Sequence, residues 1–419
     1  MTPIPEVLIV GAGLAGLSCA RRLAALGIPY QILEASDAVG GRVRTDHVEG
    51  FLLDRGFQVL LTAYPEARRV LDYTSLDLRS FYPGALVRFN GRFHRVADPW
   101  RRPIDAVTHV FSPIGTLWDK CAVARLRHRV RAGSIDELLQ RPETTTHAAL
   151  INAGFSDAMI GRFFRPFFGG VFLGRELRTT SRMLEFVFRM FSQGEIAVPA
   201  SGMGAIAQQL ARSLPRETIR LQTRVKGIQE GAVFLDSGER LHSRAVVLAT
   251  DGATAAQLLD TQVVPHSQKV TCLYFATPKP PLAEPILVLN GDGQGVVNSL
   301  CVLSAVAPTY APPESALVSV TVLGDPAASD QELETAVRSE LATWYGHDVH
   351  HQWRHLRTYR ISYALPQQYP PSQVSTDYPV RIRPNLFVCG DHYGTASING
   401  AMESGRKAAE AVKEAFEQR

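Results

Sequence analysis

A glycine-rich turn between a short apolar run and a helical pattern constrains this chain more than any other feature. Residues 7–10 lead directly into Gly11, Gly13 and Gly16, which are spaced as Gly-x-Gly-x-x-Gly. The first glycine permits a tight turn after a strand, the second lets the backbone approach a pyrophosphate, and the third lets the helix pack close to the strand. Free N–H groups at the start of the helix attract phosphate. The segment therefore predicts a β-α-β unit that binds a dinucleotide.

An acidic residue and a second glycine pair narrow the choice of cofactor. Glu34 ends the next apolar run, 18 residues after Gly16, where a carboxylate can accept hydrogen bonds from ribose hydroxyls. Gly40, Gly41 and Arg42 follow. A nicotinamide dehydrogenase has no need of an arginine here, whereas a planar guanidinium can pair with two phosphates that lie over a helix tip.

The combined pattern resembles the flavin-containing amine oxidase superfamily. Within it, the sequence Ala-Ser-Ile-Asn-Gly-Ala at 396–401 is more similar to phytoene desaturases, protoporphyrinogen oxidases and hydroxysqualene dehydroxylases than to monoamine oxidases. The resemblance implies FAD, held non-covalently because residues 353–388 contain no cysteine where some amine oxidases bond one to the flavin. It also implies an α/β fold, in which a Rossmann-like FAD-binding domain with a parallel sheet and a β-meander accompanies an α+β substrate domain with a mixed or antiparallel sheet.

The same resemblance implies which residues contact the cofactor. A strand is expected to end at Gly390 and Asp391, with Asp391 placed for a ribityl hydroxyl or a phosphate-bound water. The helix that starts near Ser397 is expected to direct its N–H groups at the flavin ring. The complete set of expected FAD-binding residues is Gly11, Gly13, Leu14, Ala15, Gly16, Glu34, Ala35, Gly41, Arg42, Gly56, Phe57, Gln58, Val225, Ala249, Thr250, Gly390, Asp391, Ile398 and Ala401.

Changes in residue pattern divide the chain into two interleaved units. The apolar run 245–250 predicts a buried strand of the cofactor unit, whereas the alternating run 269–275 predicts a strand of the substrate unit. Asn90-Gly91 between strand-like flanks predicts a hairpin, and Ser329 or Asp330 is expected to cap a helix that runs to Tyr345. The FAD-binding domain is assigned to 1–84, 196–267 and 371–419, and the substrate domain to 85–195 and 268–370.

Composition bears on partners and compartment. The net charge of +4 is too small to indicate a nucleic-acid partner, and the basic segment 125–131 is interpreted as a solvated helix face, with a membrane-surface or dimer contact as the alternative. Five scattered cysteines without a Cys/His cluster argue for reduced thiols and against a metal site. Because no leader pattern and no run of 18 apolar residues occurs, a cytoplasmic protein is expected, with peripheral membrane association and oligomeric state left open.

Catalytic side chains are the least determined part of the sequence, because flavin chemistry asks little of the protein beyond orientation and a dry pocket. Lys269 lies in about the strand where amine oxidases often hold a lysine near flavin N5, but a shift of one residue would turn it to the other face, as an exposed lysine. His392 and Tyr393 follow the Gly-Asp pair and are the other polar candidates, with a packed loop as the alternative.

The expected substrate is apolar. Five phenylalanines fall within 163–172, either as domain core or as the wall of a cavity, in which case Phe168→Ala is expected to change the substrate lengths accepted. Ser397 stands where amine oxidases place one aromatic wall of their amine cage. We therefore expect hydride transfer to flavin from a prenoid or porphyrin-like substrate. A flavin-dependent amine oxidase and a catalytically silent FAD-binding protein are the alternatives.

Overall fold

Short strands and helices alternate along most of the chain. The computed structural model describes residues 5–108, 112–229, 232–261, 265–372, 374 and 379–418. The strands are β1 (Val7–Val10), β2 (Tyr30–Leu33), β3 (Thr45–Val48), β4 (Phe51–Asp54), β5 (Leu60–Leu61), β6 (Leu78–Ser80), β7 (Gly84–Phe89), β8 (Arg92–Ala97), β9 (Ile196–Pro199), β10 (Ile219–Arg220), β11 (Val225–Gln229), β12 (Ala232–Leu235), β13 (Arg240–His242), β14 (Ala245–Leu248), β15 (Ser267–Thr277), β16 (Leu287–Asn290), β17 (Val297–Val302), β18 (Ala316–Leu323), β19 (Arg354–Pro366), β20 (Arg381–Arg383) and β21 (Leu386–Val388).

Seven of the sixteen α-helices that the structure describes lie between β8 and β9. The sixteen are α1 (Leu14–Ala25), α2 (Pro65–Val70), α3 (Tyr73–Leu76), α4 (Pro103–Thr108), α5 (Leu117–Arg131), α6 (Ile135–Leu139), α7 (Thr146–Asn152), α8 (Asp157–Met159), α9 (Arg165–Phe172), α10 (Ser181–Gln193), α11 (Gly204–Arg212), α12 (Gly252–Leu258), α13 (Leu303–Val306), α14 (Asp330–Tyr345), α15 (Asp348–Gln352) and α16 (Ile398–Glu417). A π-helical turn (Ile160–Phe164) precedes α9, and 3-10 turns span Arg216–Thr218 and Pro308–Tyr310.

A six-stranded sheet in the order β10-β2-β1-β14-β21-β20 forms the first unit. Its strands are parallel except for β20. All four residues of β1 are buried, as expected for a parallel strand covered on both faces. The antiparallel strands β11-β12-β13 form a separate meander. The predicted fold class, a Rossmann-like sheet with a meander, is confirmed.

Two helices from opposite ends of the chain pack closely beside this sheet. A Cβ added at Gly405 of α16 would lie 2.1 Å from the carbonyl oxygen of Ala15 in α1. Only a residue without a side chain permits this contact between the two backbones. The helices therefore hold the first and the final strands of the sheet in one rigid unit.

A seven-stranded sheet in the order β19-β15-β18-β17-β16-β7-β8 forms the second unit. It is mixed, because β16 runs parallel to β7 while its other pairings are antiparallel. The predicted hairpin joins β7 to β8 through Asn90 and Gly91, both with positive φ. The predicted helix α14 begins at Ser329, whose side chain accepts a hydrogen bond from the N–H of Glu332 in a capping box.

Asp54, at the end of β4, joins the two units. One carboxylate oxygen accepts hydrogen bonds from the Thr45 hydroxyl (2.5 Å) and the Met203 N–H (2.9 Å), and the other accepts one from the Tyr310 hydroxyl (2.8 Å). The hydroxyl of Tyr274 on β15 donates to the backbone oxygen of Asp54 (2.8 Å). Burial raises the pKa of Asp54 to about 6 against the opposing effect of these hydrogen bonds. The joint fixes the start of the loop 55–58.

Candidate functional site

A cavity of about 810 Å³ extends from the carboxyl ends of the parallel strands to the seven-stranded sheet. The walls at one end belong to the glycine turn, the end of β2 and the turn after β21, which are the parts of the fold that follow parallel strands. The walls at the other end come from the loop 55–59, the helices α9 and α10 and the strands β15 to β19. Ligands of open parallel sheets bind at this carboxyl edge. The cavity is therefore the candidate site.

The three glycines of the turn differ in what surrounds them. Gly11 has φ +108, and an added Cβ would lie 2.7 Å from the carbonyl oxygen of Ala249. At Gly16 an added Cβ would lie 2.0 Å from the carbonyl oxygen of Gly11, so helix α1 can touch the turn only with glycine here. At Gly13 an added Cβ would meet no described atom within 4 Å and would instead project into the cavity. This open face fits a pyrophosphate, as the spacing predicts.

Glu34 presents a fixed carboxylate to the same end of the cavity. Its Oε2 accepts a hydrogen bond from the N–H of Ala12 (2.7 Å), and its Oε1 accepts from the N–H and the hydroxyl of Ser36 (2.9 and 2.7 Å). A carboxylate has about four acceptor positions, so capacity remains for ribose hydroxyls. The position and the chemistry fit the ribose of a dinucleotide.

Arg42 and Asp391 form a bidentate ion pair inside the cavity wall. The two guanidinium–carboxylate distances are 2.6 and 2.8 Å, and the guanidinium also donates to the carbonyl oxygen of Ala364 (3.0 Å) beneath the ring of Tyr363. Burial alone would raise the pKa of Asp391, but the charge of Arg42 holds that pKa well below its ordinary value. The sequence predicts Arg42 as a phosphate partner, whereas the structure pairs it first with Asp391.

The other predicted cofactor residues lie along the same cavity. Of the whole predicted set, Gly16 is the member that does not line it, in keeping with its packing role. The remaining lining members are Leu14, Ala15, Ala35, Gly41, Gly56, Phe57, Gln58, Val225, Ala249, Thr250, Gly390, Ile398 and Ala401. Residues from six separate stretches of the chain thus converge on one elongated cavity, as a dinucleotide requires.

The model of the flavin-containing amine oxidoreductase family matches residues 14–413 of the chain. The chain belongs to this family. The predicted superfamily is thereby confirmed, and the family is one of flavin-containing oxidoreductases. The donor set described above fits the flavin cofactor of the family, because it offers an open glycine turn for phosphate and an acidic residue for ribose.

Individual relatives cover smaller parts of the chain. The coproporphyrinogen III oxidase of Propionibacterium freudenreichii subsp. freudenreichii is 25% identical over 172 residues, which are 40% of this chain and 32% of that protein. The L-amino-acid oxidase of Sistrurus catenatus edwardsii is 42% identical over 77 residues, which are 18% of this chain and 15% of that protein. Both matches span less than a third of the relative's length. A solved structure from Exiguobacterium sp. 255-15, described as a protoporphyrinogen oxidase, shares the fold with a TM-score of 0.71 over 99% of both chains at 17% identity.

The residues predicted to be catalytic do not line the cavity of this flavin oxidoreductase. Lys269 is exposed, and the next residue of β15, Val270, faces the cavity instead. The His392 ring packs beneath the turn, since a Cβ added at Gly390 would lie 2.4 Å from its Cε1. Tyr393 packs against the apolar cluster of the parallel sheet. The structure therefore gives no support to a catalytic role for Lys269, His392 or Tyr393.

Tyr64 is a cavity residue that the sequence reasoning missed. Its buried ring stacks on Phe186 at 6.0 Å, burial raises the pKa of its hydroxyl, and a hydrogen bond with Ser397 opposes that rise. The next turn is fixed to α16, because the N–H of Glu66 donates to Asn399 (2.9 Å). Tyr64 lies just before Pro65 at a helix start, which is a local sign of an ordered turn, but only the fold brings it to Ser397.

The phenylalanine-rich run contributes to both core and cavity. Phe164 and Phe168 are fully buried and do not line the cavity, whereas Phe167 and Phe172 do. Phe164 and Phe168 stack at 5.8 Å, and Phe168 and Phe172 at 5.5 Å, along one side of the helix. Of the two alternatives for this run, Phe168 follows the core one, because its ring is fully buried and does not line the cavity.

Among the described residues, no group of three or more His, Cys, Asp or Glu side chains is arranged to hold a metal ion. All five cysteines are free, and Cys272 and Cys389 are buried while Cys121 is exposed. Within the same described ranges, none of the helices combines the length and the apolar character needed to cross a bilayer.

Proposed function

We propose that this chain is a FAD-dependent dehydrogenase or oxidase that removes a hydride from an apolar, prenoid or porphyrin-like substrate. When bound, FAD supplies the hydride acceptor at its N5 atom. The observation that carries the proposal is the apolar half of the cavity. Its walls are formed by Phe57, Phe81, Phe167, Val171, Phe172, Met183, Val187, Phe191, Ile196 and Leu287. Such walls exclude water and orient a substrate by shape.

The charges beside this half of the cavity are already neutralised within the protein. Arg55 pairs with Asp46 through three nitrogen–oxygen contacts of 2.9–3.2 Å. Arg360 pairs with Asp325 (2.8 Å) and Asp330 (2.7 Å). An amino-acid substrate needs a cation for its carboxylate, and recruiting either arginine would break an ion pair that the fold already makes. The arrangement therefore favours an apolar substrate over an amino acid.

Two hydroxyl groups supply polarity near the expected flavin ring. Tyr64 and Ser397 line the cavity and share a hydrogen bond at the N-terminus of α16. Ser397 also accepts a hydrogen bond from the N–H of Gly400 (3.0 Å), which fixes the orientation of its side chain. The pair can orient a substrate, or hold a proton at the Tyr64 oxygen, without adding a charge to the cavity. The coproporphyrinogen III oxidase among the relatives supports a porphyrin-like substrate.

The cofactor is proposed to be FAD bound without a covalent link. The cavity-lining residues that the structure describes include none of the five cysteines. Protein purified after expression in flavin-sufficient cells should be yellow, and acid or heat should release intact FAD into the supernatant. Flavin that stays with the precipitated polypeptide would contradict non-covalent binding, and a released nicotinamide dinucleotide would contradict the flavin itself.

Anaerobic mixing separates the candidate functions. The flavin absorbance should bleach on addition of a reduced porphyrinogen or a long-chain prenoid, and should persist with primary amines and L-amino acids. Bleaching by amines alone would favour the amine oxidase. A flavin that none of these compounds reduces, although dithionite does, would favour a catalytically silent FAD-binding protein.

A further inference from the structure

The surface of residues 100–131 concentrates exposed apolar side chains. Trp118 is 78% exposed, Ile104 77%, Leu117 57% and Trp100 47%. These are four of the eight large apolar side chains that are exposed among the described residues, and they fall within 19 positions of one another. Scattered exposed apolar residues are ordinary, whereas a concentration of this kind marks a contact surface.

The same segment carries most of the excess positive charge. Residues 100–131 contain seven Lys or Arg and two Asp, which is a net charge of +5 against +4 for the whole chain. Both carboxylates are engaged within the fold, because Asp119 is buried and accepts hydrogen bonds from Ser156, and Asp105 accepts one from the Tyr82 hydroxyl. Three of the arginines pair with carboxylates outside the segment, Arg101 and Arg127 with Asp98 and Arg129 with Glu185, so the positive charge offered to a partner rests chiefly on the exposed Arg125 and Arg131.

Helix α5 places these groups on its exposed half. Its buried side packs Ala122, Leu126 and Val130, and the opposite side exposes Leu117 and Trp118 at its start and basic residues towards its end. The guanidinium of Arg127 lies 4.4 Å from the ring centroid of Trp100, which joins the preceding loop to the helix. We name the exposed side of α5 together with Trp100 and Ile104 the α5 surface.

We propose that the α5 surface docks onto a bilayer that contains anionic phospholipid. Tryptophan and leucine suit the boundary between headgroups and acyl chains, and Arg125 and Arg131, both on the exposed half of the helix, would face lipid phosphates. A second copy of this chain is the less suitable partner, because facing copies would bring two positive surfaces together. The proposal does not depend on which substrate the flavin oxidises.

Vesicle sedimentation of the flavin-loaded protein tests the proposal. Vesicles of phosphatidylcholine and phosphatidylglycerol in equal parts should bind the protein, and phosphatidylcholine alone should bind it at least several-fold more weakly. The double variant Leu117→Ser/Trp118→Ser should weaken binding roughly tenfold, because it removes apolar area from the membrane contact. The matched control Ile382→Ser changes a side chain of 41% exposure on β20, outside the α5 surface, and should bind as the wild type does.

A second variant tests the electrostatic part of the contact with the vesicles. Arg125→Gln/Arg131→Gln should remove the preference for phosphatidylglycerol, and raised salt should have the same effect on the wild type. Flavin absorbance and melting temperature report that each variant is folded. The proposal is overturned if the wild type does not bind either vesicle, if binding survives the Leu117/Trp118 change undiminished, or if that change alters only the oligomeric state.

Discussion

At the scale of single residues, the glycine turn separates packing from ligand binding. Gly16→Ala forces a Cβ against the Gly11 carbonyl and should destabilise the fold by about 1–3 kcal/mol. Gly13→Ala meets open space, so it should keep the wild-type melting temperature while weakening FAD binding. Thermal melts and FAD titrations of both variants give the comparison. A Gly13→Ala protein with wild-type FAD affinity would show that the cofactor phosphates do not approach this position.

Glu34 offers a second test at the same scale. Hydrogen bonds to a charged group contribute about 1.5–3 kcal/mol, so Glu34→Ala should lower FAD affinity about tenfold to a hundredfold. Fluorescence titration at FAD concentrations near the dissociation constant measures the change. Glu239→Ala is the matched control, because that carboxylate pairs with Arg220 outside the cavity. Equal affinities for the two variants would argue against a ribose contact.

At the scale of secondary-structure elements, sequence pattern predicts the existence of an element better than the direction of its side chains. The run 269–275 was expected to form a strand, and β15 is that strand. Its pairing with β19 shifts register between Gln268 and Val270, so the alternation of side chains between the two faces of the sheet is interrupted next to Lys269. No local signal marks this irregularity. Lys269, which lies between these two residues, is exposed, as in the alternative in which a shift of one residue turns its side chain to the other face.

The same applies to helix α9, because a run rich in phenylalanine does not predict which rings pack in the core and which line the cavity. Phe168→Ala should cost about 3–5 kcal/mol of folding free energy, because it empties a fully buried site. Phe167→Ala, on the cavity side, should cost less and should shift the preferred substrate size. Chemical denaturation and anaerobic flavin reduction by substrates of increasing length distinguish the two. Equal losses of stability without any change in substrate range would place both rings in the core.

At the scale of the whole molecule, the motifs that line the cofactor end of the cavity could be located from the sequence. The contacts of Asp54 that join the two sheets could not. Gly11, Glu34 and Asp391 belong to motifs whose spacing carries their chemistry. The cluster around Asp54 draws on Met203, Tyr274 and Tyr310, which lie 149 to 256 positions away. A tertiary contact of this kind leaves no pattern in any short window of the sequence, so it becomes visible only in the fold.

The joint predicts a dependence of stability on pH. Because Asp54 has a folded-state pKa of about 6 and an ordinary value of 3.8, the folded chain retains this proton when the unfolded chain has lost it. The free energy of unfolding should therefore fall as pH rises from about 4 to about 6, by an amount on the order of 2 kcal/mol from this group. Asp54→Asn should flatten that part of the profile in urea titrations. Tyr310→Phe, which removes one bond to the carboxylate, should extend the decline to higher pH.

An unchanged profile in Asp54→Asn would assign the titration to other groups. A variant that fails to fold would leave Tyr310→Phe as the informative protein, because the tyrosine ring and its packing are retained. A profile in Tyr310→Phe that moves to lower pH would contradict the proposed effect of the hydrogen bond.

The pair Arg42–Asp391 closes the cavity between residues 349 positions apart in the chain. During synthesis, the residues up to Asp391 must therefore leave the ribosome before this wall exists, and β1 can pair with β14 only after residues 245–248 have been made. A flavin that needs this wall can be captured only after Asp391 has been synthesised.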